Sequence, residues 1–392
     1  MVKYDFDCVI DRHGSGATKL ENLECVFGNK DLLPMWIADM DFAVCPEIAE
    51  ALKSRMEHPI YGYSTPSDGY WQSIIDWLDC RHGFKVSRKE LTYIPGVVKG
   101  IGLAINFFTR PGDGIVIQPP VYHPFRMVTQ GNFRTVINNP LLRTGNGYEM
   151  DFANLEQIFN EQHPRMMILC NPHNPGGIQW DAETLRRLAS LCRKHNVIVI
   201  SDEIHGDLML YGKKHIPFAS VSEDAEAISI SLGAPSKTFN IPGLVSSWMV
   251  VKNPELRTPY YHWLETNGFN EPTFVATIGT EAAYRHGNGW LNQLLHYIEQ
   301  NIGTVEDYFA NELPELKPMR PEASFLVWLD CRALGLPQER LVDLFVNKAG
   351  LALNDGTMFG KEGEGYMRLN VATPRPVLTE ALRKLTAAIK SI

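Results

Sequence analysis

Residues 181–200, DAETLRRLASLCRKHNVIVI, indicate the fold class of this chain. In the first part, Leu185, Leu188 and Cys192 recur at helical spacing. Asp181 stands where a helix N-cap is expected. The last four residues, VIVI, show no polar alternation, which is typical of a strand covered on both faces in a parallel sheet. This stretch therefore predicts a helix that leads directly into a buried strand.

Similar short runs rich in β-branched residues occur elsewhere in the central part of the chain. They lie at residues 114–117, 166–169, 227–230 and 247–251, and helical patterns separate several of them. Alternation of strands and helices is typical of a mostly parallel sheet with right-handed crossovers. We therefore expect the α/β class, with a mostly parallel sheet sandwiched by helices in a large domain.

The pattern changes after about residue 285. A long helical stretch (288–312) is followed by short apolar strands and two further helical patterns. This predicts a large α/β domain over residues 46–287. A smaller α+β domain would combine residues 1–45, as an N-terminal arm, with residues 288–392.

Composition excludes several classes of function. The chain has 392 residues, 37 basic against 45 acidic, a net charge of −8, and no basic block, which argues against a nucleic-acid partner. No apolar stretch is long enough to span a membrane, and the first residues lack the core of a signal peptide. The seven cysteines are scattered without a CxxC pair, so neither a disulfide framework nor a metal site is expected. We expect a soluble cytoplasmic protein.

Ligands of open α/β sheets bind beyond the carboxyl ends of the strands, so the residues that follow each predicted strand are candidates for a site. The first such segment is ILCNPHNPGG (168–177), where Asn174 is a candidate hydrogen-bond donor to a ligand oxygen. From the loop alone, an interpretation in which both asparagines merely form turns is favoured.

The second segment is VIVISDEIHGDL (197–208). Asp202 and Glu203 follow the most apolar predicted strand, where an acidic group is costly unless it meets a cation or a donor. Three interpretations stay open: a carboxylate that holds a heteroaromatic N–H, a metal site that includes His205, or an acidic cap on a following helix.

The third segment is ISISLGAPSKTFNIPG (228–243), in which small and apolar residues surround Lys237. A desolvated lysine has a lowered pKa, which suits Schiff-base and general-base roles. A solvated surface lysine is the alternative.

Asn174, Asp202 and Lys237, in this order and within NPHNPGG, SDEIH and SKTFN, resemble the fold-type I pyridoxal-phosphate enzymes of the aminotransferase class I/II family. The resemblance covers nearly the whole chain and implies pyridoxal 5′-phosphate as the cofactor. It implies that Lys237 forms the Schiff base, that Asp202 keeps the pyridinium nitrogen protonated, and that Asn174 binds the phenolic oxygen. His205 is assigned to the cofactor site with Asp202. Tyr122, in QPPVYHPF, matches the aromatic residue that stacks on the ring, with core packing as its alternative.

The resemblance also implies where the phosphate binds. PGVVKGI (95–101) matches the family's turn into a helix, where Gly96, Val97 and Val98 would offer main-chain N–H groups. Ser236 would add a hydroxyl.

Two more residues match groups that reach the site from other parts of the fold. Tyr63, in YGYSTPSDGY, matches a tyrosine that contacts the phosphate from the partner subunit, which implies a homodimer with shared active sites. Arg368, in GYMRLNVATPR, matches the arginine that binds the substrate α-carboxylate, and Arg375 is a nearby alternative.

One departure narrows the resemblance. Many aminotransferases carry a phosphate-binding arginine eight residues after the lysine, where this chain has Val245. Together with PMWIADMDF (34–42), this is similar to the cystathionine β-lyase branch of C–S lyases. In that branch Trp36, Ile37 and Ala38 would lie along the substrate side of the site.

The resemblance predicts a β-elimination that converts an S-substituted cysteine to pyruvate, ammonia and a thiol. Lys237 would remove the α-proton, and Lys237 or Tyr122 would protonate the leaving sulfur. Cystathionine, cystine and cysteine are all candidate substrates. An aminotransferase is the first alternative, and a regulatory or partner-binding protein that retains the fold is the second.

Overall fold

The computed structural model describes residues 3–145 and 147–391, and its centre is a seven-stranded sheet. The predicted domain ranges also include residues 1, 2, 146 and 392, which lie outside the described residues. The sheet's strands are, in chain order, β1 (Leu91–Ile94), β2 (Gly114–Ile117), β3 (Thr135–Asn138), β4 (Met166–Cys170), β5 (Ile198–Asp202), β6 (Ser229–Gly233) and β7 (Ser247–Val250).

The order of the strands across this sheet is β1-β7-β6-β5-β4-β2-β3. Neighbours pair in parallel from β6 through to β3, and only β7 runs antiparallel to its neighbours β6 and β1. The predicted mostly parallel sheet is therefore confirmed.

The stretch that indicated the fold class folds as expected. The helix spans Ala182–Lys194, and the Asp181 carboxylate caps it by accepting the N–H of Thr184 at 2.7 Å. In the strand that follows, Val199 packs into an apolar cluster on one face of the sheet and Ile200 into a cluster on the other. Burial on both faces explains why VIVI has no polar alternation.

One predicted strand begins later than expected. The run at residues 227–230 was expected to be a strand, but Ala227 and Ile228 end the helix Glu223–Ile228, and β6 starts at Ser229. The Ser222 hydroxyl caps that helix by accepting the N–H of Ala225 at 3.2 Å. Because this helix is capped at its start, it continues through Ala227 and Ile228, although Ile228 and Ile230 favour a strand.

Helices cover the sheet and continue into the C-terminal part of the chain. The α-helices are Thr18–Glu21, Leu23–Phe27, Pro46–Met56, Asp68–His82, Val97–Phe108, Pro124–Gly131, Phe152–Gln162, Ala182–Lys194, Glu223–Ile228, Pro235–Thr238, Pro254–Thr266, Phe274–His286, Asn288–Glu312, Gln338–Asp343 and Arg375–Ile389. The second-to-last continues as a π-helical segment, Leu344–Lys348. In the part of the chain that is described, no helix is both long and apolar enough to cross a bilayer.

A second, antiparallel sheet lies C-terminal to the first. Its strands are β8 (Lys317–Met319), β9 (Leu326–Asp330), β10 (Asn354–Asp355) and β11 (Tyr366–Asn370), in the order β8-β9-β11-β10. The N-terminal arm joins this part of the molecule, because Leu33–Pro34 pairs in parallel with Leu351–Ala352. The exact domain boundaries stay a prediction. A short hairpin pairs Leu142–Thr144 with Gly147–Glu149.

Gly233, the last residue of β6, allows a test of how tightly this sheet is packed. It pairs with Trp248 of β7, and a Cβ at position 233 would lie 2.2 Å from an atom of the Trp248 ring. That ring is held by a hydrogen bond of 3.0 Å to the Tyr284 hydroxyl. We expect Gly233→Ala to lower the free energy of unfolding by about 1–3 kcal/mol, measured by denaturant titration. Gly131→Ala is the matched control, since the added methyl group has no atom within 4 Å apart from its chain neighbours and its own helix backbone. An equal loss of stability in Gly131→Ala would contradict the expected clash with Trp248.

Candidate active site

A cavity of about 250 Å³ lies where β4, β5 and the turn after β6 end. Parallel strands bring their carboxyl ends to one edge, so residues distant in sequence meet there. Ten of the predicted site residues line this cavity: Ala38, Gly96, Val97, Val98, Tyr122, Asn174, Asp202, His205, Ser236 and Lys237.

Asp202 ends β5 as a buried carboxylate. Its carboxylate accepts the N–H of Ile204 at 3.1 Å, and no cation forms an ion pair with it among the described residues. Burial raises the pKa of Asp202 to about 7, and Glu203 adds to the rise while Lys237 opposes it. Such a group gains from a ligand that presents an N–H or a positive charge.

The other two interpretations of the acidic segment do not describe what the structure contains. Glu203 points away from Asp202, accepting hydrogen bonds from the Ser201 hydroxyl and the Phe218 N–H and pairing with His215 at 3.0 Å. Residues 203–217, which follow Asp202, contain turns and irregular backbone but no helix. Within residues 3–145 and 147–391, no group of His, Cys, Asp and Glu side chains is arranged to hold a metal. His205 lines the cavity with its Nδ1 buried and unpartnered.

Lys237 lies in the short helix Pro235–Thr238, and its amine reaches across to the N-terminal arm. Its Nζ donates a hydrogen bond to the carbonyl of Ala38 at 2.6 Å. Burial lowers the pKa of Lys237 to about 8, although the carboxylates of Asp39 and Asp202 oppose this shift. The amine can therefore take up or release a proton near neutral pH, as the desolvated-lysine interpretation expects.

This lowered pKa can be measured on the cofactor-free protein. We expect acylation of Lys237 by an amine-directed reagent to become half-maximal near pH 8, because only the neutral amine reacts. For an ordinary solvated lysine, acylation is half-maximal at about pH 10.4. Peptide mass spectrometry over a pH series gives the profile, and the same peptide in urea-unfolded protein is the control. Identical midpoints in the two states would contradict the burial of this amine.

The two asparagines of NPHNPGG have different surroundings. Asn171 donates its side-chain amide to the Ile216 carbonyl at 2.9 Å and so stabilises the loop. Asn174 instead lines the cavity, and its Oδ1 accepts from Nη1 of Arg368 at 3.0 Å. Its carbonyl accepts the N–H of Tyr122 at 3.0 Å. The turn interpretation therefore fits Asn171, while Asn174 lies in the candidate site.

Tyr122 contributes both to packing and to the cavity. Its ring meets that of Phe125 edge-on at 5.8 Å and also lines the cavity. Burial raises the pKa of Tyr122, against the opposing charge of Arg368. Its hydroxyl is therefore protonated at neutral pH.

Arg368 lies on β11 and is 3% exposed. Its Nη2 donates to the Trp36 carbonyl at 3.2 Å and to Oδ1 of Asn354 at 2.6 Å, while its Nε is buried without a partner. Burial lowers the pKa of Arg368 to about 10. Among the described residues no carboxylate pairs with this guanidinium, so it is suited to an anionic ligand. Arg375, its alternative, instead donates to Asn301 and Gln300.

The arm segment enters the site through its backbone. The Trp36 ring packs edge-on against Phe27 at 5.1 Å, and its Nε1 donates to the Lys19 carbonyl, so the side chain points away from the cavity. The carbonyls of Ile37 and Asp39 accept from the Asn370 side chain at 2.6 and 2.7 Å. The carbonyls on either side of Ala38 are thereby fixed.

The phosphate cradle expected from the sequence has a glycine turn. Gly96 adopts φ +115°, which favours glycine, and it precedes the helix Val97–Phe108. The first N–H groups of such a helix are free to bind an anion. Val245 lines the same cavity, as does Lys99, a cation that the sequence interpretation did not single out.

Tyr63 is not brought to Lys237 within one chain. It is fully exposed and lines a separate groove together with Tyr61 and Trp71. Its assignment to the phosphate depends on a second subunit and stays a prediction.

The chain is similar to known proteins over nearly its whole length. Residues 30–385 match the family described as aminotransferase class I and II. The chain is 43% identical, over 98% of its length, to the whole of cystathionine beta-lyase PatB from Bacillus subtilis (strain 168). A PLP-bound protein of Clostridium difficile 630, named only provisionally as an aminotransferase, superposes with a TM-score of 0.96 at 42% identity, over 99% of this chain and 100% of that one. Cystalysin from Treponema denticola, which contains pyridoxal 5′-phosphate, gives 0.95 at 31% identity over 100% of both chains.

Proposed function

The chain belongs to the aminotransferase class I and II family, and on that premise we propose that it is a pyridoxal-phosphate-dependent carbon–sulfur β-lyase. It converts an S-substituted cysteine to pyruvate, ammonia and a thiol. The observation that carries this proposal is the hydrogen bond of 2.6 Å between Lys237 and Ala38. Ala38 belongs to PMWIADMDF, the segment that resembles the C–S lyases, and here that segment contacts the candidate catalytic amine.

The residues of the cavity fit this cofactor. Asp202 is a buried carboxylate without a cationic partner, and it would hold the ring N–H. The Gly96 turn and Ser236 would hold the phosphate, while Asn174 and Tyr122 would contact the ring. When bound, the cofactor supplies an electron sink for the negative charge left at the substrate Cα.

The chain's own groups supply binding and proton transfer. Arg368 binds the substrate α-carboxylate, since it is a buried cation with a free Nε. Lys237, with its pKa lowered to about 8, takes the α-proton.

Two further steps release the products: protonation of the leaving sulfur and hydrolysis of the remaining three-carbon fragment. As the C–S bond breaks, the sulfur receives a proton from Lys237 or from Tyr122, whose raised pKa keeps its hydroxyl protonated. Water then converts the three-carbon fragment to pyruvate and ammonia.

An aminotransferase is the alternative, because the relative from Clostridium difficile carries that provisional name. To separate the two, the holoenzyme is incubated with L-cystathionine alone and, separately, with an amino acid and a 2-oxo acid. Pyruvate and free thiol without a 2-oxo acid are expected. Transfer of the amino group without thiol release would overturn the proposal.

We also propose that the protein is a homodimer in which Tyr63 contacts the phosphate of the partner's site. One loop exposes three large apolar side chains, Ile60, Tyr61 and Tyr63. Such a patch supports the proposal that a second subunit covers this loop. A cytoplasmic location is proposed as well, and the free state of all seven cysteines suits a reducing compartment. Sedimentation analysis of the holoenzyme tests the dimer, and a monomer would contradict it.

A further inference from the structure

A second cavity of about 740 Å³ meets the candidate active site at Lys237. Lys237 lines both cavities, and the second one extends between the N-terminal arm and the segment that carries Ala38. Of the residues given a role above, only Lys237 and Ile37 line this space. Because it opens from the amine that takes the α-proton, it is placed to receive the part of a substrate that extends beyond the reacting carbons.

Charged residues line this second cavity. Arg12, Asp39 and Asp41 are partly buried there, with 24%, 15% and 19% of their side chains exposed. Arg12 pairs with Asp39 at 2.6 Å and with Asp41 at 2.7 Å. Lys19, which is 1% exposed, pairs with the same carboxylates, at 2.8 Å from Asp41 and 3.6 Å from Asp39. These four residues, the arm charge cluster, carry no net charge.

The guanidinium of Arg12 uses only part of its donor capacity. Its Nη1 and Nη2 donate to the two carboxylates and to the Met40 carbonyl. Its Nε, with the second N–H of Nη2, donates to no acceptor among the described residues. Two parallel N–H groups on one edge of a guanidinium match a carboxylate. Each aspartate, in turn, retains lone pairs that could accept from an ammonium group.

Charge balance selects the kind of ligand. A neutral, partly buried cluster keeps its balance when a zwitterion binds, since the ammonium meets the aspartates and the carboxylate meets Arg12. A tail with a single charge would leave that charge uncompensated in a site where screening by water is reduced. A tail without charge would leave these donors and acceptors without new partners.

We propose that the second cavity binds the sulfur substituent of the substrate, and that the arm charge cluster selects substituents that end in an α-amino-acid group. This inference rests on the proposed function and names the substrate class of the same site. Arg12 and Asp39 are specificity-determining residues in it. Cystathionine and cystine have such tails, whereas free cysteine has none.

Four substrates test this selection. L-Cystathionine carries both charges on its tail, S-(3-aminopropyl)-L-cysteine only the ammonium, S-(3-carboxypropyl)-L-cysteine only the carboxylate, and S-propyl-L-cysteine neither. We expect the holoenzyme to release pyruvate from cystathionine with a kcat/KM at least about tenfold above that of S-propylcysteine, and above both singly charged substrates. Equal values for all four would overturn the inference while leaving the lyase activity in place. Release of pyruvate from none of them would instead contradict the proposed function.

Two variants give opposite expectations. Arg12→Gln leaves the cluster with a net negative charge, so the ratio of kcat/KM for the aminopropyl over the carboxypropyl substrate is expected to rise about tenfold. Asp39→Asn leaves a net positive charge, and the same ratio is expected to fall by a similar factor. A ratio compares two substrates on one protein, so it is independent of the folded fraction, which thermal unfolding reports separately.

The matched control is Arg383→Gln, which removes an exposed arginine paired with Glu380. It is expected to leave both the basal activity and the ratio unchanged. If Arg12→Gln and Asp39→Asn change all four substrates by one common factor, the arm charge cluster only stabilises the arm, and the inference is wrong.

Discussion

Lys237→Ala is expected to lower kcat for pyruvate release from L-cystathionine by at least about 10³-fold, because it removes the group that takes the α-proton. The same change is expected to abolish the visible absorbance of cofactor bound to the lysine. The amine of Lys237 donates to the Ala38 carbonyl, and burial lowers its pKa to about 8. An exposed lysine stays protonated at neutral pH, so it cannot replace Lys237 as the base. Stopped-time pyruvate assays and an absorbance spectrum of the purified protein measure the two effects.

Lys99 provides the control for this prediction. It is a second lysine that lines the same cavity, but it is exposed and lies in the first turn of the helix Val97–Phe108. Lys99→Ala is expected to keep the absorbance of the bound cofactor, since the covalent link is to Lys237. A spectrum lost in Lys99→Ala and kept in Lys237→Ala would reverse the assignment.

The residues of the site that follow strands were predictable from the sequence. Asn174 and Lys237 come shortly after β4 and β6, Asp202 is the last residue of β5, and a parallel sheet brings the carboxyl ends of its strands together. Each local segment alone left other interpretations open, and the three segments together, through their resemblance to the family, singled these residues out.

The residues that position the arm could not be predicted in this way. Asn370 holds the carbonyls of Ile37 and Asp39, which are more than 300 residues away in the sequence. Asn240 does the same at Met40, where it accepts the N–H at 2.9 Å and donates to the carbonyl at 3.0 Å. No local pattern predicts such long-range contacts between a side chain and the backbone. For the same reason, no local pattern predicts that the Trp36 ring packs on Phe27 while the Trp36 carbonyl accepts from Arg368, and its place on the substrate side stays a prediction.

Arg368→Gln is expected to lower kcat/KM for L-cystathionine by about 10²- to 10³-fold. The variant lacks the cation that pairs with the substrate α-carboxylate, and removing one member of a buried charge pair costs about 2–5 kcal/mol. Most of the loss is expected in KM, because Arg368 binds a carboxylate that is present before the reaction as well as during it. Arg368→Lys is expected to recover only part of the loss, as an ammonium cannot form two parallel hydrogen bonds. Arg375→Gln is the control, because that arginine contacts Asn301 and Gln300 away from the cavity.

The stability of the same variant separates a binding role from a structural one. Arg368 is 3% exposed, has no carboxylate partner among the described residues, and has its pKa lowered to about 10 because burial disfavours its charge. Replacing it by glutamine removes a buried charge while retaining an amide that can donate to Asn174 or Asn354. We therefore expect the thermal midpoint of Arg368→Gln to equal or exceed that of the unaltered protein, even though its activity is lost. A midpoint lowered by several degrees, with kcat/KM reduced only in proportion to the unfolded fraction, would show that Arg368 stabilises the fold and does not bind substrate.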